Sequence, residues 1–321
     1  MQRLRVAIVG QGAIGKKHAQ SVSAVSSKID VGVVSRRRLE SIDPRFFCLG
    51  SNDQLMNWQP DVVMLANEAS KRREDFETIA GVAATILLEK PVASSLEDAI
   101  AIKAIADARK ARTFVAYNLR MSSALLSVRK YVGDGSLGKL CHVTAVVGQN
   151  LEWWRPGRDV AGTVSASRAQ GGGVMRELSH EIDLLASLFG PLSFEYSLCD
   201  RKKFTSFDVE DVAHIGFRSS IESGRAPISL VMDFVRHDLQ RAINIIGTDG
   251  TLSWDLVNGT VSLCGPDGAV SKIYDDQTDL TSTQQNLWKH ILLGEETKLC
   301  TVEESIEVMG LIHQAEERGA S

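Results

Sequence analysis

Over roughly the first 120 residues, short apolar runs alternate with helix-compatible stretches. The runs at 4–9, 31–34, 62–66, 84–88 and 113–117 are rich in β-branched residues and too short for helices. Helical patterning fills 70–80 and 95–108. Ser94 or Ser95 can cap the second of these, with Glu97 and Asp98 in its first turn. Continuous apolar strands alternating with helices predict a parallel sheet covered on both faces.

The pattern changes after about residue 130. Between 140 and 273 the strands are longer and partly alternating, which suits an antiparallel sheet. Asp249-Gly250, Asn258-Gly259 and Asp267-Gly268 read as hairpin turns. One helix is predicted over 174–188, stopped by Phe189-Gly190-Pro191, and two more over 282–293 and 302–318. The expected architecture is an α/β first domain over 1–120 and an α+β second domain over 121–321 with an open, mainly antiparallel sheet. Packing of the C-terminal helices back onto the first domain is left open.

Composition adds exclusions. A chain of 321 residues exceeds one ordinary core, and roughly 150 residues per domain gives about two. Hydrophobic residues at 44% and charged residues at 24% exclude a largely disordered chain. The 36 basic and 40 acidic residues leave −4, without long blocks, so neither a nucleic-acid backbone nor a membrane surface is an expected partner. No apolar run approaches the ~20 residues of a membrane span, and the apolar stretch at 6–9 is too short for a signal core. The five scattered cysteines are expected to be buried thiols in a reducing cytoplasm. The Asn258-Gly259-Thr260 sequon has no consequence there.

Candidate chemistry is concentrated in a few stretches. Gly10-Gln11-Gly12-Ala13-Ile14-Gly15 follows an apolar strand and opens a helical segment, the context in which G-x-G-x-x-G binds a dinucleotide in a Rossmann domain. The first glycine permits the tight turn, the second admits a pyrophosphate, and the third lets helix and strand approach. The next strand ends Ser35-Arg36-Arg37-Arg38, where an NAD site usually carries an acid. Arginine forks suit a 2′-phosphate, so NADP(H) is the preferred cofactor and NAD(H) the alternative. A solvated basic loop is the competing explanation.

Glu89-Lys90-Pro91 stands at a strand's carboxyl end, where ligands bind in parallel sheets. An ordinary exposed pair would read the same way. Gly171-Gly172-Gly173 leads into Glu177 and His180, three residues apart and about 60° apart in rotation on one helix. A carboxylate beside a histidine suits acid–base work, although such pairs are also common on helix surfaces. Metal binding by His180 with Glu181 or Asp183 lacks a third ligand, and no metal is expected. His18, His142, His214, His237, His290 and His313 show no comparable constellation; His290 and His313 fit amphipathic helices as structural residues.

The glycine motif, Glu89-Lys90-Pro91 and the stretch Gly171 to Asp183, in this order and spacing, resemble the glucose–fructose oxidoreductase/inositol dehydrogenase family (Gfo/Idh/MocA) over nearly the whole chain. Ala66 and Asn67-Glu68-Ala69-Ser70 fall at that family's cofactor loop, although a proline is more usual where Glu68 stands. Tyr117-Asn118-Leu119-Arg120 resembles its interdomain strand end, and Arg241 to Leu252 its late sheet. The family pairs its lysine with an aspartate and a histidine four residues apart. Here the acid is Glu177 and the separation is three. The stretch from Trp154 to Asp159 resembles a branch associated with surface-sugar or nonulosonate biosynthesis. Trp154 would stack on a sugar, and Arg155 and Arg158 would bind an anion, unless the loop is only packed by its own tryptophans.

The resemblance implies a cytoplasmic, homodimeric or homotetrameric NAD(P)-dependent oxidoreductase acting on a sugar or nucleotide sugar. It places the site between the domains and leaves the second sheet's outer face for self-association. Lys90 and His180 would handle the proton, Glu177 would support His180, and Lys90, Asn118, Arg120 and His180 would meet the substrate. Two alternatives remain: a dinucleotide and sugar sensor without turnover, and an NAD-dependent glycosidase on the same scaffold.

Overall fold

The computed structural model describes residues 3–35, 42–154, 160–201, 204–221 and 225–319. The chain divides into two compact units, 1–118 with 284–306, and 119–283 with 307–321. Residues 284–306 thus group with the first unit, a return of the C-terminal part that the sequence leaves open.

Among the described residues, the first unit is built on strands β1 (Leu4–Val9), β2 (Ile29–Val34), β3 (Phe47–Leu49), β4 (Val62–Leu65), β5 (Thr85–Leu88) and β6 (Arg112–Val115). They are parallel, in the order β6-β5-β4-β1-β2-β3. A two-residue strand, Cys300–Thr301, adds to β6 antiparallel. The helices are α1 (Ala13–Val25), α2 (Asn52–Trp58), α3 (Arg72–Ile79) and α4 (Leu96–Arg109). Val6, Ala7, Ile8, Val63, Met64, Leu65, Ile86, Leu87 and Leu88 are almost wholly buried, as strands covered on both faces require. Ser95 caps α4 by accepting from the Asp98 N–H. The β3–α2 pair has no counterpart in the sequence reading. Three residues carry too little periodicity, and α2 is a seven-residue helix announced only by the Ser51 cap.

The second unit carries α5 (Ala124–Gly133), β7 (Leu140–Gly148), α6 (Val174–Glu177) and α7 (His180–Phe189). Strands β8 (Ser193–Arg201), β9 (Glu210–Arg218), β10 (Pro227–Asp233), β11 (Gln240–Gly247), β12 (Thr251–Asp255), β13 (Thr260–Cys264) and β14 (Val270–Asp275) follow. The sheet runs β14-β13-β12-β11-β7-β10-β9-β8. It is antiparallel except between β7 and β10. The three expected hairpins join β11 to β14, with Gly259 and Gly268 at positive φ. Two further helices cover Asp279–Leu293 and Val302–Arg318. The cysteines depart from expectation: Cys300 is buried, whereas Cys48 and Cys141 are exposed.

Candidate functional site

Five strands of the first sheet end level. Val34, Val9, Leu65, Leu88 and Val115 are register partners across β2, β1, β4, β5 and β6. Their successors Ser35, Gly10, Ala66, Glu89 and Ala116 therefore form one row along the carboxyl edge. Backbone bonds stitch the row: Gly10 N–H donates to Val34 O at 3.1 Å, Ala66 N–H to Val9 O at 2.8 Å and Glu89 N–H to Leu65 O at 3.0 Å. At about 4.8 Å per strand, the glycine loop and the Lys90 strand are roughly 10 Å apart.

The glycine loop has the shape a pyrophosphate needs. Gly10 adopts φ +112°, and a Cβ there would lie 2.8 Å from Ala66 O. A Cβ on Gly15 would lie 2.0 Å from Gly10 O, so only glycine lets α1 approach the loop. At Gly12, the N-cap of α1, the space a Cβ would enter is open, no side chain caps the helix, and its first turn carries no acid. Exposed N–H groups and a positive dipole end thus face open space, an anion cradle that fits a dinucleotide phosphate. A cavity of about 470 Å³ adjoins the loop, lined by Gly10, Gln11, Lys16, Val33, Asp43 and Phe46.

Ser35 is buried, and its hydroxyl donates to Gln11 Oε1 at 2.9 Å. The hydroxyl proton expected to serve a phosphate is thus directed at the glycine loop. Arg36 and Arg37 lie outside the described residues. Hydrogen bonds from Arg45 hold the Asp43 carboxyl at about 2, so the cavity wall carries a paired acid as well as Lys16.

Behind Lys90 lies a buried polar network. The Lys90 N–H donates to Glu89 Oε2 at 2.9 Å, and Glu89 Oε1 meets His18 Nε2 at 2.7 Å. The Trp288 indole N–H donates to His18 Nδ1 at 3.1 Å. Arg72 donates to Glu89 O at 2.6 Å, to Pro91 O and to Asn67 O at 2.5 Å. Asn67, expected at the cofactor, has its side chain engaged by Asp75 and Arg72. Glu89, likewise expected there, turns its carboxylate inward. Burial works to raise that carboxyl, but the His18 hydrogen bond and the positive charges of Lys90 and Arg72 hold it below its ordinary value. Burial pulls the Arg72 guanidinium down to about 10 against the opposing effect of Glu89. The sequence reading missed both His18 and Arg72. The available signal for His18 was its position three residues after Gly15, on the face of α1 that is buried.

In the second unit the expected continuous helix is broken. Leu178 (φ −100°, ψ 22°) ends α6, and α7 starts at His180. Glu177 closes one helix and His180 opens the next, both half-buried, so the shared helical face is corrected to a turn between them. Each helix is anchored separately. Glu181 and Asp183 in the first turn of α7 pair with Arg241 at 2.7 Å and Arg120 at 2.7 Å. Arg176 on α6 forks onto Glu316 at 2.7 and 2.9 Å. Glu210 Oε1 accepts from the Met175 N–H at 3.3 Å, and a Cβ on Gly173 (φ +118°) would lie 2.2 Å from that oxygen. Burial, with the Glu316 charge, pushes Glu210 up to about 7 against the Met175 hydrogen bond and the Arg176 charge. Arg120, expected at the substrate, is 8% exposed and gives two nitrogens to the wholly buried Asp183. Asn118 is half-buried in the turn Asn118–Met121. Trp154 ends the turn Leu151–Trp154, and Arg155 and Arg158 lie outside the described residues.

Comparison with known proteins bears on this geometry. Residues 4–117 match the oxidoreductase family with an NAD-binding Rossmann fold. Residues 125–253 match the GFO/IDH/MocA C-terminal domain. The chain belongs to the Gfo/Idh/MocA family. Inositol 2-dehydrogenase of Rhizobium meliloti is 24% identical over 192 residues, 58% of this chain and 55% of that protein. The chain thus spans a little over half the length of the curated relatives it matches. The crystal structure of a putative NADPH-dependent oxidoreductase from Desulfitobacterium hafniense superposes with a TM-score of 0.85 at 18% identity, covering 99% of this chain and 96% of that one. Levoglucosan dehydrogenase in complex with NADH and levoglucosan gives 0.85 at 16% identity, covering 99% and 98%. At these identities the likeness is one of fold.

Proposed function

We propose that this Gfo/Idh/MocA protein is an NAD(P)-dependent dehydrogenase that moves hydride between a nicotinamide dinucleotide and a hydroxyl-bearing or keto carbon of a sugar or polyol. The observation that carries the reading is the level row Ser35-Gly10-Ala66-Glu89, which sets an open glycine cradle and Lys90 on one edge of the first sheet. Gly10, Gln11, Gly12, Ala13, Ile14 and Gly15 would hold the pyrophosphate, with Ala66 and Asn67 beside it. When bound, the dinucleotide supplies the hydride acceptor or donor. Lys90 would hydrogen-bond the reacting oxygen. His180, supported by Glu177, would take or return its proton. The names of the relatives, an inositol and a levoglucosan dehydrogenase, favour a cyclic polyol or sugar. Trp154, Arg155, Arg158 and Asn118 stay the candidates for holding it.

Two finer points belong to the same reading. NADP(H) is preferred, since position 35 carries no acid to repel a 2′-phosphate and Arg36 and Arg37 follow it. The protein works in the cytoplasm as a homo-oligomer; among the described residues no helix is long and apolar enough to cross a membrane.

Nicotinamide absorbance tests the reading. Sugars, polyols and nucleotide sugars are first ranked by thermal shift with saturating cofactor, then assayed for NAD(P)H formation. Steady formation with at least one of them is expected. Sugar release with no net change in absorbance would point to the glycosidase chemistry, and ligand stabilisation without either would point to a sensor. Cofactor choice is read by titrating NAD(H) and NADP(H) into wild type and Ser35→Asp. One charge-assisted hydrogen bond contributes ~1.5–3 kcal/mol, roughly tenfold or more in affinity. Wild type should therefore favour NADP(H), and the variant should reverse the order. Equal affinities in wild type would leave the arginines as solvated surface.

A further inference from the structure

Trp288, His18 and Glu89 sit in the first unit, at 0%, 1% and 7% exposure. Each link between them has only one workable direction. An indole N–H is a donor only, so His18 Nδ1 must accept. The proton of the neutral ring is then on Nε2 and points at Glu89 Oε1. Glu89 accepts from His18 with one oxygen and from the Lys90 N–H with the other. Burial of this depth leaves no solvent to satisfy a donor facing the wrong way, so a reversed link would leave a polar group unpaired.

We infer that this chain fixes Lys90 in place, with His18 and Glu89 acting as positioning residues and Trp288 setting the tautomer of His18. The inference rests on the reading of Lys90 as the group at the reacting oxygen. Arg72 completes the mount from the other side. It holds Glu89 O and Pro91 O, the carbonyls that flank Lys90 in sequence. The backbone of the motif is thereby held through one carboxylate and two carbonyls. His18 and Glu89 act through Lys90.

The donor logic yields a rescue experiment that needs no substrate. In Glu89→Gln an amide replaces two acceptors by one acceptor and one donor. While Trp288 keeps Nδ1 as acceptor, His18 can only donate, so the amide oxygen goes to His18 and its NH2 confronts the Lys90 N–H. Removing the indole donor in Glu89→Gln/Trp288→Phe lets His18 carry its proton on Nδ1, against the phenyl ring, which leaves one donor unpaired in place of the two that face each other in Glu89→Gln. Nε2 then accepts from the amide, whose oxygen returns to the Lys90 N–H.

Amide hydrogen exchange by NMR reads the outcome, with Leu87 of β5 as the internal control for global opening. Relative to Leu87, the Lys90 amide should exchange roughly tenfold faster in Glu89→Gln, the loss of one charge-assisted hydrogen bond. It should be close to wild type in Trp288→Phe, and return to within about threefold of wild type in the double variant. Imidazole ¹⁵N shifts should place the His18 proton on Nε2 in wild type and on Nδ1 in the double variant. General destabilisation would move Leu87 too and would not be relieved by a second loss. Unchanged Lys90 exchange in Glu89→Gln, or no recovery in the double variant, would overturn the inference. So would a wild-type proton on Nδ1, a measurement that holds even if a variant does not fold. Turnover that survives in Lys90→Ala would instead remove Lys90 from the chemistry, so the two failures have separate signatures.

Discussion

Lys90 illustrates how far single residues can be read. Its place at a strand's carboxyl end was legible, because an apolar run followed by Glu-Lys-Pro marks a parallel strand leaving the sheet. The network behind it was not. His18 and Glu89 are 71 positions apart, and Trp288 is 270 from His18. No periodicity links such separations; the contacts arise only where α1 meets the end of β5 and the helix Asp279–Leu293 within the first unit. Lys90→Ala is expected to abolish hydride transfer while leaving cofactor affinity within a few fold, since in the proposed reading Gly10 to Gly15 would hold the phosphates. Fluorescence titration of NAD(P)H, beside turnover with the sugar selected by thermal shift, checks both halves. Turnover within about tenfold of wild type, ~1.4 kcal/mol of barrier, would show that Lys90 is not central.

At the scale of elements, the strands and most helices were legible and the break between α6 and α7 was not. Val174, Leu178, Ile182 and Leu185 keep a helical spacing straight through it, so the apolar pattern carries no trace of it. Distant segments hold the two helices separately: Glu210 and Glu316 hold α6, Arg120 and Arg241 hold α7. His180, at the first turn of α7, is thus set by two buried ion pairs. His180→Asn keeps some hydrogen bonding but cannot shuttle a proton, and a loss of ~10²–10⁴-fold in kcat is expected, with a milder loss for Glu177→Gln. An undiminished rate across the pH profile would take the histidine out of the mechanism.

Glu210 makes the same pair of helices sensitive to pH. Its carboxyl stands at about 7 in the folded protein against 4.5 ordinarily. The folded state therefore binds this proton more tightly than the unfolded chain does. Below the ordinary value the group is protonated in both states and costs nothing. As pH rises towards 7 the unfolded chain gains from ionisation and the folded one does not, so stability falls and then levels off. The full difference is roughly 3 kcal/mol. Glu210→Gln keeps an acceptor for the Met175 N–H and removes the ionisable group. Its denaturant midpoint is expected to match wild type near pH 4 and to exceed it increasingly up to about pH 8. A gap that does not depend on pH would mean that Glu210 ionises normally.

At the scale of the whole molecule, the two classes of sheet were plain in the sequence because their side-chain patterns differ. Continuous apolar runs mark strands covered on both faces, and alternation marks a sheet with one face buried by its own chain. In the second sheet the inward set Ala213, Ile215, Phe217, Leu230, Met232 and Val147 is almost wholly buried. Register places Leu198, His214, Val231, Val146 and Ala242 in one outward row, with Tyr196, Ser229, Thr144 and Asn244 in the next. From β8 to β11 those two rows carry no Lys, Arg, Asp or Glu, and Leu198 is 65% exposed; the same rows reach Asp255 on β12 and Lys272 on β14. A broad, charge-poor face of this kind is unusual on a chain that stays single, and its small and β-branched residues suit face-to-face packing against a second copy. Light scattering of the wild type at micromolar concentration should therefore give a mass of two or four chains. Val231 lies mid-sheet in the outward row, where interface energy concentrates. Val231→Lys should weaken assembly at least tenfold, because the ammonium would lose its water in the contact, while circular dichroism stays that of the folded protein. A monomeric wild type would leave the face to solvent, and an assembly indifferent to the lysine would move the contact elsewhere on the molecule.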